Sequence, residues 1–83
     1  NADALFYRSA YHRLAGGDLD AALADARAAV AADVKHDKAW NACGLANSER
    51  KDFKAAIEDF TRALELRPRD AAYLANRAQC WFN

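Results

Sequence analysis

The sequence predicts an all-α protein built as a stack of antiparallel helix pairs, and the prediction follows from its composition and from an internal repeat. Alanine, the strongest helix former, supplies 22 of the 83 residues, against 3 glycines and 1 proline. The chain also repeats itself with a period of 34 residues, and the expected helix breaks recur with that period. These features exclude a β-sandwich, a collagen-like chain and a disordered chain.

The repeat is visible when the chain is placed against itself with an offset of 34 residues. No insertion interrupts the match. Several positions are identical: Asp3 and Asp37, Asp18 and Asp52, Ala22 and Ala56, Asp25 and Asp59, Ala29 and Ala63. Others are similar: Phe6 and Trp40, Ala10 and Gly44, Leu19 and Phe53, Leu23 and Ile57. The sequence therefore predicts repeats over residues 3–36 and 37–70, followed by a first helix of a third repeat over 71–83.

Turn-forming segments divide the repeats into helices. Gly16 and Gly17 end one helix, and Pro68 prevents another from continuing. We expect five helices, over 3–15, 19–33, 37–49, 53–66 and 70–82. An aspartate stands at each expected helix start, where its carboxylate can accept bonds from free backbone N–H groups: Asp3, Asp18, Asp37, Asp52 and Asp70. Asn1 and Ala2 are given no structural role.

Small residues recur where neighbouring helices have to meet. Ala10, Gly44 and Ala78 share one repeat position, and a small side chain there lets two helix backbones approach closely. Large residues fill the space beside each close contact, and we expect Trp40 and Phe60 to share one core. A thin helix pair cannot cover its own apolar face, so each pair has to stack on the next.

The pattern resembles the tetratricopeptide repeat (TPR) family. Residues 37–70 carry the resemblance best, and the matching residues are Trp40, Gly44, Phe53, Ala56, Phe60, Ala63 and Pro68. Residues 3–36 are more degenerate, with Ala26 and Val34 where the family has a large aromatic residue and proline. The resemblance implies a right-handed superhelix whose concave surface is lined by the first helix of each repeat. It also implies a non-catalytic scaffold that binds an extended peptide or a partner protein.

Helical spacing then assigns residues to the groove, because the core-facing positions of each first helix are already known. The main candidates for partner binding are Tyr7, Arg8, Tyr11, Asn41, Leu45 and Asn76. Further candidates are Leu14, Lys38, Ala42, Ser48, Ala72, Ala75 and Gln79. Tyrosine and arginine are frequent binding residues, and the asparagines can hydrogen-bond a peptide backbone. An ordinary solvated helix face remains the alternative reading of the same residues.

Two other functions remain open. The repeats can be an accessory segment of a larger multidomain protein or enzyme. They can also belong to the TPR subclass that holds the C-terminal carboxylate of a chaperone with lysine, asparagine and arginine. The positions of that subclass fall on Tyr7, Tyr11, Ala42, Ala72 and Asn76, and none carries the expected residue. A carboxylate needs a firm cation or several N–H donors, so this alternative is the weaker one.

The last helix presents large apolar residues without a following helix to cover them. Leu74, Trp81 and Phe82 are these residues, and we expect self-association through them to form a homodimer. A missing next helix of a longer array explains the same pattern.

The composition argues against other chemistry. The formal net charge is zero, so no basic field indicates a nucleic-acid partner. No apolar run approaches the roughly 18 residues of a membrane span.

The sequence contains no recognisable metal or catalytic motif. Metal-ligand spacing is lacking among the histidines and cysteines, which are His12, His36, Cys43 and Cys80, and no phosphate-binding or nucleophile motif occurs. Adjacent acids such as Glu58 and Asp59 point apart, and spacing pairs them with Arg62 on the surface. We therefore expect no cofactor, no metal and no enzymatic activity, with a cytoplasmic location as the default.

Overall fold

Five α-helices make up most of the computed structural model, which describes residues 1–82. They run in chain order as α1 (Ala2–Tyr11), α2 (Leu19–Ala32), α3 (Asp37–Glu49), α4 (Phe53–Leu66) and α5 (Ala71–Trp81). No β-strand occurs within residues 1–82. The all-α architecture predicted from the repeat is confirmed, and α3 and α4 have the predicted bounds.

The helices pack in two layers. Each helix contacts the next along the chain, with the largest interface between α3 and α4. In addition, α1 contacts α3 and α3 contacts α5. The first helix of each repeat therefore lies in one layer, and the second helices α2 and α4 lie behind them. This arrangement gives the stack a continuous face made of α1, α3 and α5.

Small residues line the contacts between the helices. Ala22, Ala29, Ala56 and Ala63 are fully buried, and the buried Gly44 lies against the ring of Phe60. The expectation of one shared core for Trp40 and Phe60 is wrong. Trp40 packs against two clusters, one around Cys43 and one around Leu64, whereas Phe60 belongs to a third cluster. Stacked helix pairs bury their apolar residues against each neighbour in turn, so the apolar contacts divide into several clusters.

Three of the five predicted N-cap residues are confirmed, and two are wrong. Asp18, Asp52 and Asp70 accept bonds from the backbone N–H three residues later, as predicted. The caps of α1 and α3 are instead the preceding residues: the Asn1 side chain accepts from Ala4 N at 2.8 Å, and His36 Nδ1 accepts from Ala39 N at 3.1 Å. The aspartates at 3 and 37 therefore lie in the first helical turn, and Asn1 has a structural role after all.

The end of α1 differs most from the prediction. The regular helix stops at Tyr11 and continues as a π-helical segment, His12–Gly16. Gly17 then adopts the left-handed conformation with a φ of 66°, and its N–H donates to the carbonyl of His12. At the matching position of the second repeat, Lys51 adopts the same conformation with a φ of 67°. The two joints thus share a backbone shape although only one has glycine.

Candidate partner-binding groove

The α1 wall of the predicted groove carries exposed aromatic residues. Tyr7 and Tyr11 lie one turn apart, with 68% and 62% of their surface exposed. Leu14 follows in the π-helical segment and is 73% exposed. The three side chains therefore lie on one face of α1 and of the π-helical segment that follows it. Exposed tyrosines provide large contact area at a low cost in side-chain entropy, as a binding wall requires.

Amide groups connect α3 and α5 on the same layer. Asn76 Nδ2 donates to Asn41 Oδ1 at 3.1 Å, and both side chains are half-buried. Within residues 1–82, this bond leaves the Nδ2 of Asn41 and the Oδ1 of Asn76 without a partner. The pair therefore presents one donor and one acceptor, which match the C=O and N–H groups of an extended peptide.

A second bond between α3 and α5 fixes the spacing of these two helices. The hydroxyl of Tyr73 donates to Asp37 Oδ2 at 2.5 Å. Burial, followed by the hydrogen bond to Asp37, raises the pKa of the Tyr73 hydroxyl. The hydroxyl is therefore protonated at neutral pH and acts as the donor. This bond lies at the N-terminal ends of the two helices, and the Asn41–Asn76 bond lies about one turn further along.

Arg8 contacts another helix rather than standing free for a ligand. Its Nε and Nη2 atoms donate to the two carboxylate oxygens of Asp25 on α2, at 2.9 and 2.8 Å. The hydrogen bond to Asp25 and then its charge raise the pKa of Arg8, although desolvation opposes them. In turn the Arg8 hydrogen bond lowers the pKa of Asp25. Arg8 therefore joins α1 to α2, and Asp25 already balances its positive charge.

Two other predicted groove residues are turned toward the helix contacts. Ala42 is 5% exposed and belongs to the apolar cluster shared by α2 and α3, so its assignment to the groove is wrong. Leu45 is half-buried and packs against the cluster that contains Phe60 and Cys80. Both cases arise because the face of α3 that its neighbouring helices bury is wider than the set of core positions predicted from the repeat. The exposed remaining candidates are Lys38, Ala72, Ala75 and Gln79, and Ser48 is half-buried.

Sequence reasoning missed the buried carboxylates behind this layer. Asp59 accepts two bonds from Arg27 on α2, at 2.7 and 3.2 Å, and one from Asn47 on α3, at 2.8 Å. The expected surface pair of Asp59 with Arg62 is wrong, because Arg62 instead pairs with Glu65 at 3.4 Å. The signal was present in the repeat: Asp25 and Asp59 occupy the same position among buried alanines.

Metal binding finds no support in the described part of the chain. Residues 1–82 hold no group of three or more His, Cys, Asp or Glu side chains that could share a metal ion. Cys43 and Cys80 are buried free thiols, and desolvation raises the pKa of Cys43 to about 12. Nor does any helix among these residues have the length and apolar character needed to cross a membrane.

The predicted self-association residues lie on the outward side of α5. Trp81 is 62% exposed, Phe82 is 89% exposed and Leu74 is 42% exposed. The guanidinium of Arg77 lies over the Trp81 ring, 5.1 Å from its centroid. The structure thus places these apolar side chains at the surface, in line with the sequence pattern.

Comparisons with known proteins agree with this geometry. Residues 37–70 match the family model described as tetratricopeptide repeat. A 48-residue stretch, 58% of this chain, is 46% identical to the Hsp70-Hsp90 organizing protein of Triticum aestivum and spans 8% of that protein. The fold is similar to the crystal structure of the Sgt2 TPR domain from Aspergillus fumigatus, with a TM-score of 0.90 and 29% identity over 96% of this chain and 54% of that one. The chain is therefore much shorter than both relatives. By sequence pattern, helix arrangement and these matches, residues 37–70 form a tetratricopeptide repeat, and residues 1–82 have the fold of a TPR domain.

Proposed function

We propose that the chain is a non-catalytic binding module that holds an extended segment of a partner protein along the layer of α1, α3 and α5. The observation that carries the proposal is the Asn41–Asn76 pair, which offers one donor and one acceptor between two helices. A peptide backbone carries these complementary groups along its length. TPR domains typically mediate contacts between proteins, which agrees with this assignment.

The neighbouring residues favour a ligand with apolar side chains. Tyr7 and Tyr11 offer exposed rings on one wall, and small residues, Ala72 and Ala75, leave space on the other. Lysine is scarce here, with Lys38 as one exposed cation, and the guanidinium of Arg8 is paired with Asp25. We infer that the groove recognises the ligand through backbone bonds and aromatic contacts, so a terminal carboxylate is not required.

A chaperone partner is the second candidate. The similarity to the Hsp70-Hsp90 organizing protein favours it, since the name of that relative refers to two chaperones. The small share of that protein which this chain spans also fits an accessory segment of a larger multidomain protein. Among the residues considered for a carboxylate grip, Tyr7, Tyr11, Ala42 and Ala72 carry no charge. Contact with a chaperone through an internal segment is therefore favoured over contact through its C-terminus.

Peptide binding tests the proposal directly. An array of short peptides, including the C-terminal peptides of Hsp70 and Hsp90 as free acids and as amides, is probed with the wild-type chain. Selected peptides are then titrated against the Tyr11→Ala/Asn76→Ala variant and against Val34→Ser, which changes an exposed loop residue. We expect the double variant to bind at least about ten-fold more weakly and the loop variant to bind normally.

The outcomes separate the alternatives. Equal binding by wild type and double variant would remove the groove assignment. A strong preference for the free acid over the amide would favour the carboxylate-binding alternative. Similar binding of both forms, lost in the double variant, would support the proposed recognition through the peptide backbone.

A further inference from the structure

Two side-chain hydrogen bonds join α3 to α5, and they lie about one helical turn apart. Tyr73 Oη donates to Asp37 Oδ2 at 2.5 Å, and Asn76 Nδ2 donates to Asn41 Oδ1 at 3.1 Å. The two acceptors are four residues apart on α3, and the two donors are three residues apart on α5. Residues at these spacings share one helix face, so the bonds are neighbouring links between the same two faces.

Packing fixes the Tyr73 hydroxyl more firmly than it fixes the amide groups. Tyr73 is 6% exposed, and its ring packs in one apolar cluster with Ala63 and Leu64 of α4. Both asparagines of the second bond are half-buried. A ring enclosed at the packing density of a protein interior cannot change rotamer without displacing its neighbours. The hydroxyl therefore sets the point at which α5 meets α3.

The two bonds also differ in strength. The acceptor of the Tyr73 hydroxyl is a carboxylate, whereas the Asn41–Asn76 bond joins two neutral amides. A hydrogen bond with one ionised partner is roughly twice as strong as a bond between neutral groups. The Tyr73–Asp37 distance is also the shorter one, at 2.5 Å against 3.1 Å. The Tyr73–Asp37 bond is therefore the dominant link of the two.

The attachment of α5 to α4 does not depend on this link. The interface between α4 and α5 is much larger than the interface between α3 and α5. Cys80 packs beside Phe60, and Arg77 Nη1 donates to Thr61 Oγ1 at 3.3 Å. Removal of the Tyr73 hydroxyl leaves these contacts and the buried ring in place. It therefore changes the spacing between α3 and α5 and not the folding of α5.

We propose that Tyr73 and Asp37 are positioning residues of the groove, whose bond holds the Asn76 amide within reach of Asn41. The inference rests on the proposed function, in which this asparagine pair bonds the backbone of a partner segment. Without the hydroxyl, the Asp37 carboxylate would face the apolar edge of a ring, and it is better solvated when it turns toward water. The helix spacing is then no longer set, and the amide bond weakens because its strength falls steeply with poorer geometry. Partner affinity thus depends on a buried hydroxyl outside the asparagine pair.

Solvent exchange of the asparagine side-chain amides tests the proposal on the free chain, without a ligand. In isotope-labelled protein each amide gives its own pair of proton signals, which Asn41→Ala and Asn76→Ala assign by their disappearance. We expect Tyr73→Phe to speed exchange of the Asn76 amide at least about three-fold, because its hydrogen bond opens more often. The Asn47 amide, which donates to Asp59 at 2.8 Å, is the internal control and should exchange as in the wild type. An unchanged Asn76 amide would overturn the proposal.

Substitutions of Asp37 separate the acceptor from the other effects of its charge. Asp37→Asn and Asp37→Ala both remove a charge from the first turn of α3, but only asparagine keeps a carbonyl oxygen that can accept from Tyr73. We expect Asp37→Ala to speed exchange of the Asn76 amide as Tyr73→Phe does, and Asp37→Asn to retain most of the wild-type protection. The Tyr73→Phe/Asp37→Ala double variant should be no faster than either single variant, since both remove the same bond. Equal exchange in Asp37→Asn and Asp37→Ala would contradict the role of the bond.

Peptide affinity shows whether the position of Asn76 matters for the partner. The tightest-binding peptide of the array is labelled with fluorescein and titrated, and we expect Tyr73→Phe to weaken its binding about three- to ten-fold. Arg27→Ala controls for stability, because it breaks the Arg27–Asp59 pair behind the groove layer, and it should bind with wild-type affinity. Urea unfolding verifies that each variant is folded under the assay conditions.

The outcomes distinguish this inference from the proposed function. If Tyr11→Ala/Asn76→Ala weakens binding and Tyr73→Phe does not, the groove assignment stands and the inference fails. If Arg27→Ala weakens binding as much as Tyr73→Phe, the effect is one of stability and the inference also fails. If Tyr11→Ala/Asn76→Ala binds like the wild type, the proposed function fails, and amide exchange in the free chain alone decides whether Tyr73 positions Asn76.

Discussion

Gly44 on α3 lies directly against the ring of Phe60 on α4. A β-carbon built on Gly44 would lie 2.5 Å from Cε1 of Phe60, far inside van der Waals contact. The ring cannot move away easily, because Phe60 is fully buried beside Ala56 and Cys80. The glycine is therefore required by the approach of the ring and not by backbone conformation.

Gly44→Ala should destabilise the chain although alanine is the better helix former. Overpacking typically costs about 1–3 kcal/mol and the gain in helix propensity returns about 1 kcal/mol, so we expect a net loss of up to about 2 kcal/mol. Urea unfolding followed by circular dichroism measures it. In a Phe60→Leu background the same substitution should cost less, since the two sites are coupled. An equal cost in both backgrounds would contradict the contact.

Arg27→Ala should cost about 2–3 kcal/mol of unfolding free energy. Asp59 is 3% exposed, and loss of its cation leaves a buried carboxylate with Asn47 as its remaining donor. The estimate lies below that for a fully buried pair because Arg27 is partly exposed. Arg62→Ala is the matched control: Arg62 pairs with Glu65 on the surface, and its loss should cost less than about 0.5 kcal/mol. Chemical denaturation of both variants should show this order.

The Arg8–Asp25 pair should make stability depend on acid pH. The pKa of Asp25 is lowered below its ordinary 3.8, so the folded chain releases this proton more readily than the unfolded chain. The stabilising contribution is therefore complete above the unfolded pKa and is lost as the pH falls through the folded value. The stability difference between wild type and Asp25→Asn should shrink between about pH 5 and pH 2. Thermal unfolding across this range tests it, and a constant difference would contradict it.

Lys51→Gly should stabilise the joint between α3 and α4. Lys51 has a φ of 67°, a left-handed conformation that disfavours residues with a β-carbon. Glycine adopts it without strain, and we expect a gain of about 0.5–1 kcal/mol after the entropy of the unfolded chain is included. Glu58→Gly, on the exposed side of α4, should instead cost about 1 kcal/mol. If Lys51→Gly destabilised the chain, the Lys51 side chain would have to stabilise the fold by more than its left-handed backbone conformation costs.

The thiol of Cys43 should resist alkylation while the chain is folded. Desolvation raises its pKa to about 12, so at about pH 8 roughly one molecule in ten thousand carries the reactive thiolate. Cys80 is 4% exposed and is shielded by packing. We expect labelling by iodoacetamide to follow global unfolding, as measured by mass spectrometry with and without urea. Rapid labelling of Cys43 in the native chain would contradict its burial.

The local features of the fold could be predicted because they depend on neighbouring residues. The bounds of α3 and α4 and the caps at Asp18, Asp52 and Asp70 follow from short patterns of turn residues and carboxylates. The repeat then implied the side-by-side arrangement. Prediction was less accurate at α1, where Asn1 caps the helix in place of Asp3 and the helix continues as a π-helical segment.

The candidate site was only partly predictable. The exposure of Tyr7 and Tyr11 follows from helical spacing, but the pairing of Arg8 with Asp25 and the burial of Ala42 do not. These outcomes depend on how far apart the helix axes lie and how they rotate, which no short pattern specifies. Helical spacing also selected Asn41 and Asn76, but the bond between them, which decides the groups that each side chain leaves free, is seen only in the structure.

The sequence alone was sufficient to predict the 34-residue period, the positions of the helices and the stacking of the helix pairs. The helices depend on contacts within one turn, and the stacking depends on small residues that recur every 34 positions. The partner of Asp59 required the three-dimensional arrangement. Its spacing suggested Arg62, but the fold brings Arg27 to it from 32 residues away. A buried carboxylate takes the cation that packing makes nearest, and that cation belongs to the neighbouring repeat.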